Sequence, residues 1–127
     1  MPPITPKVVV TPEGALWFVL PEPPSANRYW KVWRGRAVLS PEARAYKAMV
    51  RNVGHRIDPY VETVEMIVHW HRGAKRGDLS NRIKIVEDAL NGVAYGDDKQ
   101  IARISAHRFE SPGQARIEVV VSPMARF

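Results

Sequence analysis

Apolar and polar residues alternate along several short runs of this chain, and two longer stretches repeat at helical spacing. Lys7-Val8-Val9-Val10 and Ala15-Leu16-Trp17-Phe18-Val19-Leu20 predict two strands joined by the turn Thr11-Pro12-Glu13-Gly14. The prolines of Pro21-Glu22-Pro23-Pro24-Ser25 then exclude helix and hold the chain extended. Ser40-Pro41-Glu42 supplies an N-cap, a proline at the first helical position and an acid in the first turn. Ala43, Tyr46, Met49, Val50, Val53 and Ile57 follow at helical spacing, which predicts a helix to about residue 56. Val61 to His71 predicts a strand, with Val64, Met66, Val68 and Trp70 on one face. Thr63, Glu65, Ile67, His69 and His71 take the other face.

A second helix is predicted over residues 80–91, with Ile83, Val86, Ala89 and Leu90 as its buried stripe and Asn91-Gly92 as its stop. Gln100 to Phe109 and Ala115 to Ser122 read as strands around the turn Ser111-Pro112-Gly113-Gln114. The order ββαβαββ predicts an α+β domain, a small mixed sheet with two helices packed on one face. The 127 residues suit one domain, with residues 1–6 and 123–127 as loose tails.

Composition narrows the chemistry. With 45% apolar and 25% charged residues, a packed core is feasible and disorder is excluded. The absence of cysteine excludes disulfides, thiolate zinc sites, iron–sulfur clusters and cysteine nucleophiles. No apolar run approaches the ~18 residues that span a bilayer, and Met1-Pro2-Pro3-Ile4-Thr5-Pro6 lacks a signal pattern. The expected compartment is therefore the cytoplasm, with no membrane partner.

The net charge of +6 is concentrated. Residues 22–76 carry eleven Lys and Arg against five Asp and Glu, while the flanking segments each balance. Such a region favours a polyanionic partner, nucleic acid first, and competes with a plain solvated basic surface. In residues 27–36, Arg28, Lys31, Arg34 and Arg36 are interleaved with Tyr29, Trp30 and Trp33. The cations suit phosphates and the rings suit unpaired bases, although Trp30 and Trp33 equally suit a core. A second basic stretch, Arg72-Gly73-Ala74-Lys75-Arg76-Gly77, leads into Asp78.

The densest chemistry lies between residues 78 and 98. Asn81, Lys84 and Asp88 share one face of the second helix; Asp78 stands at its entry and Asp97-Asp98 beyond its end. If carboxylates from the two loops converge at one end of the sheet, they offer the hard oxygen ligands that Mg²⁺ takes. A lysine beside them would neutralise charge developing on a phosphate. The plainer alternative is that Asp78 caps the helix and Asp97-Asp98 make a turn.

Asp78-Leu79-Ser80-Asn81-Arg82-Ile83-Lys84, then Asp88-Ala89-Leu90, then Asp97-Asp98-Lys99-Gln100-Ile101 resembles the signature of the RusA family of Holliday junction resolvases. That signature runs Asp-x-Asp-Asn-x-x-Lys, Asp-Ala-Leu, Asp-Asp-x-Gln. Leu20 to Trp30 resembles the family's proline-rich entry and Ala43-Arg44-Ala45-Tyr46 its first helix, so the match covers about residues 16 to 104. The resemblance implies a homodimer that binds four-way DNA junctions and hydrolyses phosphodiesters with Mg²⁺, for which Mn²⁺ can substitute. It implies Asp78 and Asp98 as metal ligands and Lys84 as the residue assisting phosphate chemistry. DNA contacts are expected from Asn27, Arg28, Lys31, Arg34, Arg36, Arg72, Lys75, Arg76 and Asn81.

One position departs from the pattern. Ser80 stands where the family's second aspartate belongs, so metal affinity is expected to fall unless Asp88 or Asp97 compensates. Ser80 would otherwise serve as the helix N-cap. A catalytically weak or inactive junction-binding protein is the competing expectation. His69 and His71 share a strand face, but two histidines without a third ligand argue against zinc and for solvent, a dimer partner or DNA backbone.

Overall fold

The computed structural model describes residues 4–124. β1 (Lys7–Val10) and β2 (Leu16–Leu20) form an antiparallel hairpin. A short helix α1 (Ala26–Tyr29) leads directly into β3 (Trp30–Trp33), which pairs with β4 (Arg36–Leu39) as a separate two-stranded sheet. Then come α2 (Pro41–Val53), β5 (Val64–Arg72), α3 (Leu79–Ala89), a 3₁₀ turn (Asp98–Gln100), β6 (Ile101–Glu110) and β7 (Arg116–Pro123). Among the described residues no helix is long and apolar enough to cross a membrane.

The main sheet runs β1-β2-β7-β5-β6, so the last strand in sequence is the middle strand in space. β7 is antiparallel to both β2 and β5, while β6 runs parallel to β5 after the α3 crossover. One face is apolar in register: Phe18 and Val68 flank Val119, and Leu20 and Trp70 flank Ile117. Tyr46 and Val50 of α2 and Val86 and Ala89 of α3 close over this face and exclude water from it. The expected α+β order holds once α1 and the β3–β4 hairpin are set aside as an insertion.

Local chemistry explains the ends of the elements. Ser40 Oγ accepts the Ala43 N–H at 3.0 Å, which starts α2 as the sequence predicts. α2 stops at Val53, short of the expected residue 56, with Gly54 as its C-cap, and a Cβ on Gly54 would lie 2.4 Å from Val93 Cγ1. α3 begins one residue earlier than expected and ends two residues sooner. Its N-cap is Asp78, whose Oδ1 accepts the Asn81 N–H at 3.0 Å, and Ser80 lies exposed inside the first turn. The buried stripe of α3 is Arg82, Ile85, Val86, Ala89 and Leu90, with Ile83 only partly covered. At the C-terminus Pro123 pairs with Val64 and the Met124 N–H donates to Thr63 O, so these two residues are tied rather than loose. The other predicted tail residues at 1–3 and 125–127 lie outside the described residues.

Candidate functional site

A cleft of about 620 Å³ opens between the proline-rich entry and the N-terminus of α3. The entry contributes Glu22, Asn27 and Arg28, and the loop and helix contribute Arg76, Asp78, Asn81 and Arg82. Arg82 holds the two walls together. Its buried guanidinium donates to Pro23 O and lies 5.1 Å from the centre of the Trp70 ring. Burial lowers its pKa, with Glu22 opposing the shift. Glu22 accepts the Trp70 indole N–H at 2.9 Å, which fixes the carboxylate inside the cleft wall. Asp78 is braced from one side only. Its Oδ2 accepts Asn81 Nδ2 at 3.1 Å, so Asn81 orients the carboxylate through both backbone and side chain.

The carboxylates expected to converge do not do so within one chain. Asp78 caps the start of α3, while Asp98 Oδ2 accepts from Asn91 Nδ2, just past the helix end, at 3.4 Å. The eleven helical residues of α3 separate those anchor points by about 17 Å. Among the described residues no three His, Asp or Glu side chains are grouped to hold a metal.

The far end of α3 has its own composition. Glu87 is partly buried there and its pKa is raised, first by burial and next by the charge of Asp98, with Lys84 opposing. The Asn91 Oδ1 is buried without a hydrogen-bond partner. Such an atom is costly unless something meets it. Lys84 is exposed on the helix between the two ends.

Asp88 and Asp97 have other tasks. Asp88 accepts the hydroxyl of the buried Tyr29 and pairs with Lys47 Nζ at 3.2 Å, which ties α3 to α1 and α2. Burial and this carboxylate raise the Tyr29 pKa, so the phenol stays a donor. Asp97 caps the 3₁₀ turn by accepting the Lys99 N–H at 2.9 Å, and Gln100 completes the capping box.

The predicted DNA-binding residues fall into three groups. Asn27, Arg28, Arg76 and Asn81 line the cleft. Lys31, Arg34 and Arg36 stand exposed on the β3–β4 hairpin, and Lys75 is exposed in the loop before Asp78. Arg72 is committed elsewhere. It makes a two-pronged pair with Glu110, 2.8 and 2.6 Å, and donates to Gly77 O. Tyr29 is buried and unavailable for stacking, whereas Trp30 and Trp33 are 47% and 49% exposed and belong to no core.

His69 and His71 lie on the outer face of the sheet. His71 stacks on Phe109 at 5.0 Å and approaches Glu118 at 3.5 Å; His69 meets His107 and Phe109 edge-on. Sequence reasoning missed Glu22, Arg82, Glu87 and Asn91. Arg82 left one visible signal, a cation at a position that recurs with Ile85, Val86 and Ala89 on the buried stripe.

The family model of endodeoxyribonuclease RusA matches residues 21–122, which sets the class of the chain as a DNA endonuclease. The crossover junction endodeoxyribonuclease of Enterobacteria phage 82 is 31% identical over 112 residues, covering 84% of this chain and 93% of the relative. Those of Shigella sonnei Ss046 and Escherichia coli K12 are each 30% identical over the same shares. The chain belongs to the RusA family.

Proposed function

We propose that this protein is a Mg²⁺-dependent endonuclease that cuts four-way or similarly branched DNA, acting as a homodimer in the cytoplasm of a bacterium or a phage host. The observation that carries this reading is the cleft, whose lining brings Arg28, Arg76 and Arg82 together with Asp78. Arg28 and Arg76 would neutralise the phosphates of a bound strand, the buried Arg82 holds the walls in place, and Asn81 orients Asp78.

The donor chemistry fits a hard divalent cation. Asp98 and Glu87 supply carboxylate oxygens at the far end of α3, and the unpartnered Asn91 Oδ1 supplies an amide oxygen. When bound, Mg²⁺ lowers the pKa of a water and offsets charge on the scissile phosphate. Lys84, whose charge acts on Glu87, would stabilise the same charge. Asp88 is left out of the set, because Tyr29 and Lys47 already occupy it. Asp97 is left out as a turn cap.

The length of α3 supports the homodimer. Asp78 and Asp98 of one chain stand at opposite helix ends, so both can serve one phosphate only if Asp98 comes from a second copy. An isologous pair supplies two such sites related by two-fold symmetry, suited to paired cuts in a symmetric junction.

A synthetic four-way junction and a linear duplex of the same sequence, each with Mg²⁺ or EDTA, test the reading. Paired nicks in the junction alone, and only with Mg²⁺, are expected. Equal cutting of both substrates would overturn the structure selectivity. Tight junction binding without nicks would support a binding protein that lost cleavage at Ser80.

A further inference from the structure

The β3–β4 hairpin is unused by the cleft, and its composition is unusual for a surface that meets only water. Every residue of β3 is exposed, including Trp30, Val32 and Trp33. Residues 27–39 contain four cations and no acid, and among the described residues none of Arg28, Lys31, Arg34 or Arg36 pairs with a carboxylate. The register sorts the side chains onto two faces. Trp33 sits opposite Arg36 and Lys31 opposite Val38, so one face presents an indole among cations. Arg34 lies over the Trp33 ring with its guanidinium 4.4 Å from the ring centre.

The hairpin is held as a stiff arm. Its turn, Arg34-Gly35, has φ of 49° and 74°, the left-handed pair that matches strand twist in a two-residue connection. At its base Trp30 packs edge-on against the buried Tyr29 at 5.2 Å, and Leu39 joins the small core of Tyr29, Ala43 and Ile85. The arm also continues straight from the cleft. Arg28 lines the cleft and Trp33 follows five residues later, at most about 17 Å away along an extended strand.

We propose that the β3–β4 hairpin is a base-stacking arm, on which Trp33, flanked by Lys31, Arg34 and Arg36, stacks against a nucleobase left unpaired at a branch. The inference rests on the nuclease reading above and deepens it by naming what senses the branch. A paired duplex hides its base faces, and a branch exposes them; an indole reads that difference while arginines alone do not. Charge complementarity selects DNA over a protein partner, since the indole face offers cations and no acid.

The test compares the full-length protein with Trp33→Ala and Trp33→Phe, each first checked for an unchanged thermal midpoint. Probes are a four-way junction carrying 2-aminopurine at the branch, the matching linear duplex, and oligo-dT. Trp33→Ala should weaken junction binding by about 5- to 150-fold, the range of one lost stacked base, and leave duplex binding within about twofold. Trp33→Phe should retain most of the junction affinity. The change in 2-aminopurine fluorescence and the quenching of protein fluorescence by oligo-dT should disappear in Trp33→Ala. Equal losses on junction and duplex would reduce Trp33 to a general contact and overturn the proposal, as would no loss on either. Dissociation of the DNA-free protein into smaller species in Trp33→Ala would overturn it in favour of a contact between copies. If the parent neither prefers nor cuts junctions, the nuclease reading fails, and Trp33-dependent quenching by oligo-dT still decides the arm.

Discussion

The two ends of α3 are built from the same residue types and reach opposite states. At the N-terminal end, Asp78 has both oxygens engaged by Asn81, and arginines outnumber acids around the cleft. At the C-terminal end, Glu87 faces the charge of Asp98, and the Asn91 Oδ1 meets nothing. A helix favours anions at its start and cations at its end, so the macrodipole eases the first arrangement and aggravates the second. On the reading proposed above, the satisfied end would receive a phosphate, and the deficit at the unsatisfied end is one that a divalent cation would remove. In one chain these complementary halves are held apart by the rigidity of the helix between them.

The largest expected effect comes from breaking each end separately. Asp78→Asn and Asp98→Asn should each abolish junction cleavage in a nicking assay while retaining junction binding in a gel shift. Mixing the two dead proteins should restore activity, because a mixed dimer keeps one intact pairing of ends. Random assortment puts that at about one quarter of the original sites. No recovery on mixing would place both ends' chemistry in one chain or on separate tasks.

Next in size is the fate of the carboxylates that were candidates to replace the missing aspartate. Asp88→Asn should remain active but lose stability by about 1.5–3 kcal/mol in urea unfolding, since it breaks charged bonds to Tyr29 and Lys47. Ser80→Asp should keep stability, because Asp78 is already the cap, and should lower the Mg²⁺ concentration for half-maximal cleavage. An inactive Asp88→Asn with normal stability would return Asp88 to the metal set.

A smaller effect separates the free cations from the paired one. Arg76→Ala should reduce the slope of log affinity against log salt by about one contact. Arg72→Ala should leave that slope unchanged, because Glu110 already holds its guanidinium. A slope altered only by Arg72→Ala would reverse that assignment.

The smallest effect is on pH. Burial, then Arg116, hold the His71 pKa below its ordinary value, with Glu118 opposing and His69 adding. The unfolded chain therefore takes up a proton near pH 6.5 that the folded chain refuses until lower pH. Stability should be full above about 6.5 and decline as pH falls toward the folded value. The thermal midpoint, compared at pH 7.5 and 5.5, should drop less in His71→Phe, which keeps the aromatic stack on Phe109. An equal drop would assign the acid sensitivity elsewhere.

The core was legible in the sequence because alternation fixes a face: Val64, Met66, Val68 and Trp70 are all fully buried, as their period-two spacing predicts. The start of α2 was legible at Ser40, while that of α3 was ambiguous by two residues, since Ser80 and Asp78 both make good caps. The site was harder. Spacing tells which side of a helix a residue takes, but not which end meets what. It grouped Asn81, Lys84 and Asp88 without revealing that Asp88 would be claimed by Tyr29, 59 residues away. The β3–β4 hairpin escaped because its exposed aromatics imitate core residues, and only the missing buried partners distinguish them.

The position of β7 has a consequence for how the molecule comes into being. β2 and β5 touch only through β7, the final strand in sequence and the middle one in the sheet. Trp17 Nε1 reaches Glu118 across 101 residues of chain. A nascent chain emerging from the ribosome can curl β1 onto β2 and, later, β6 beside β5 across α3. These remain half-sheets with open edges until β7 slots between them, a slow and long-range closure. A chain cut short before residue 116 is therefore expected to keep two open-edged half-sheets and to be digested faster in limited proteolysis than the full chain.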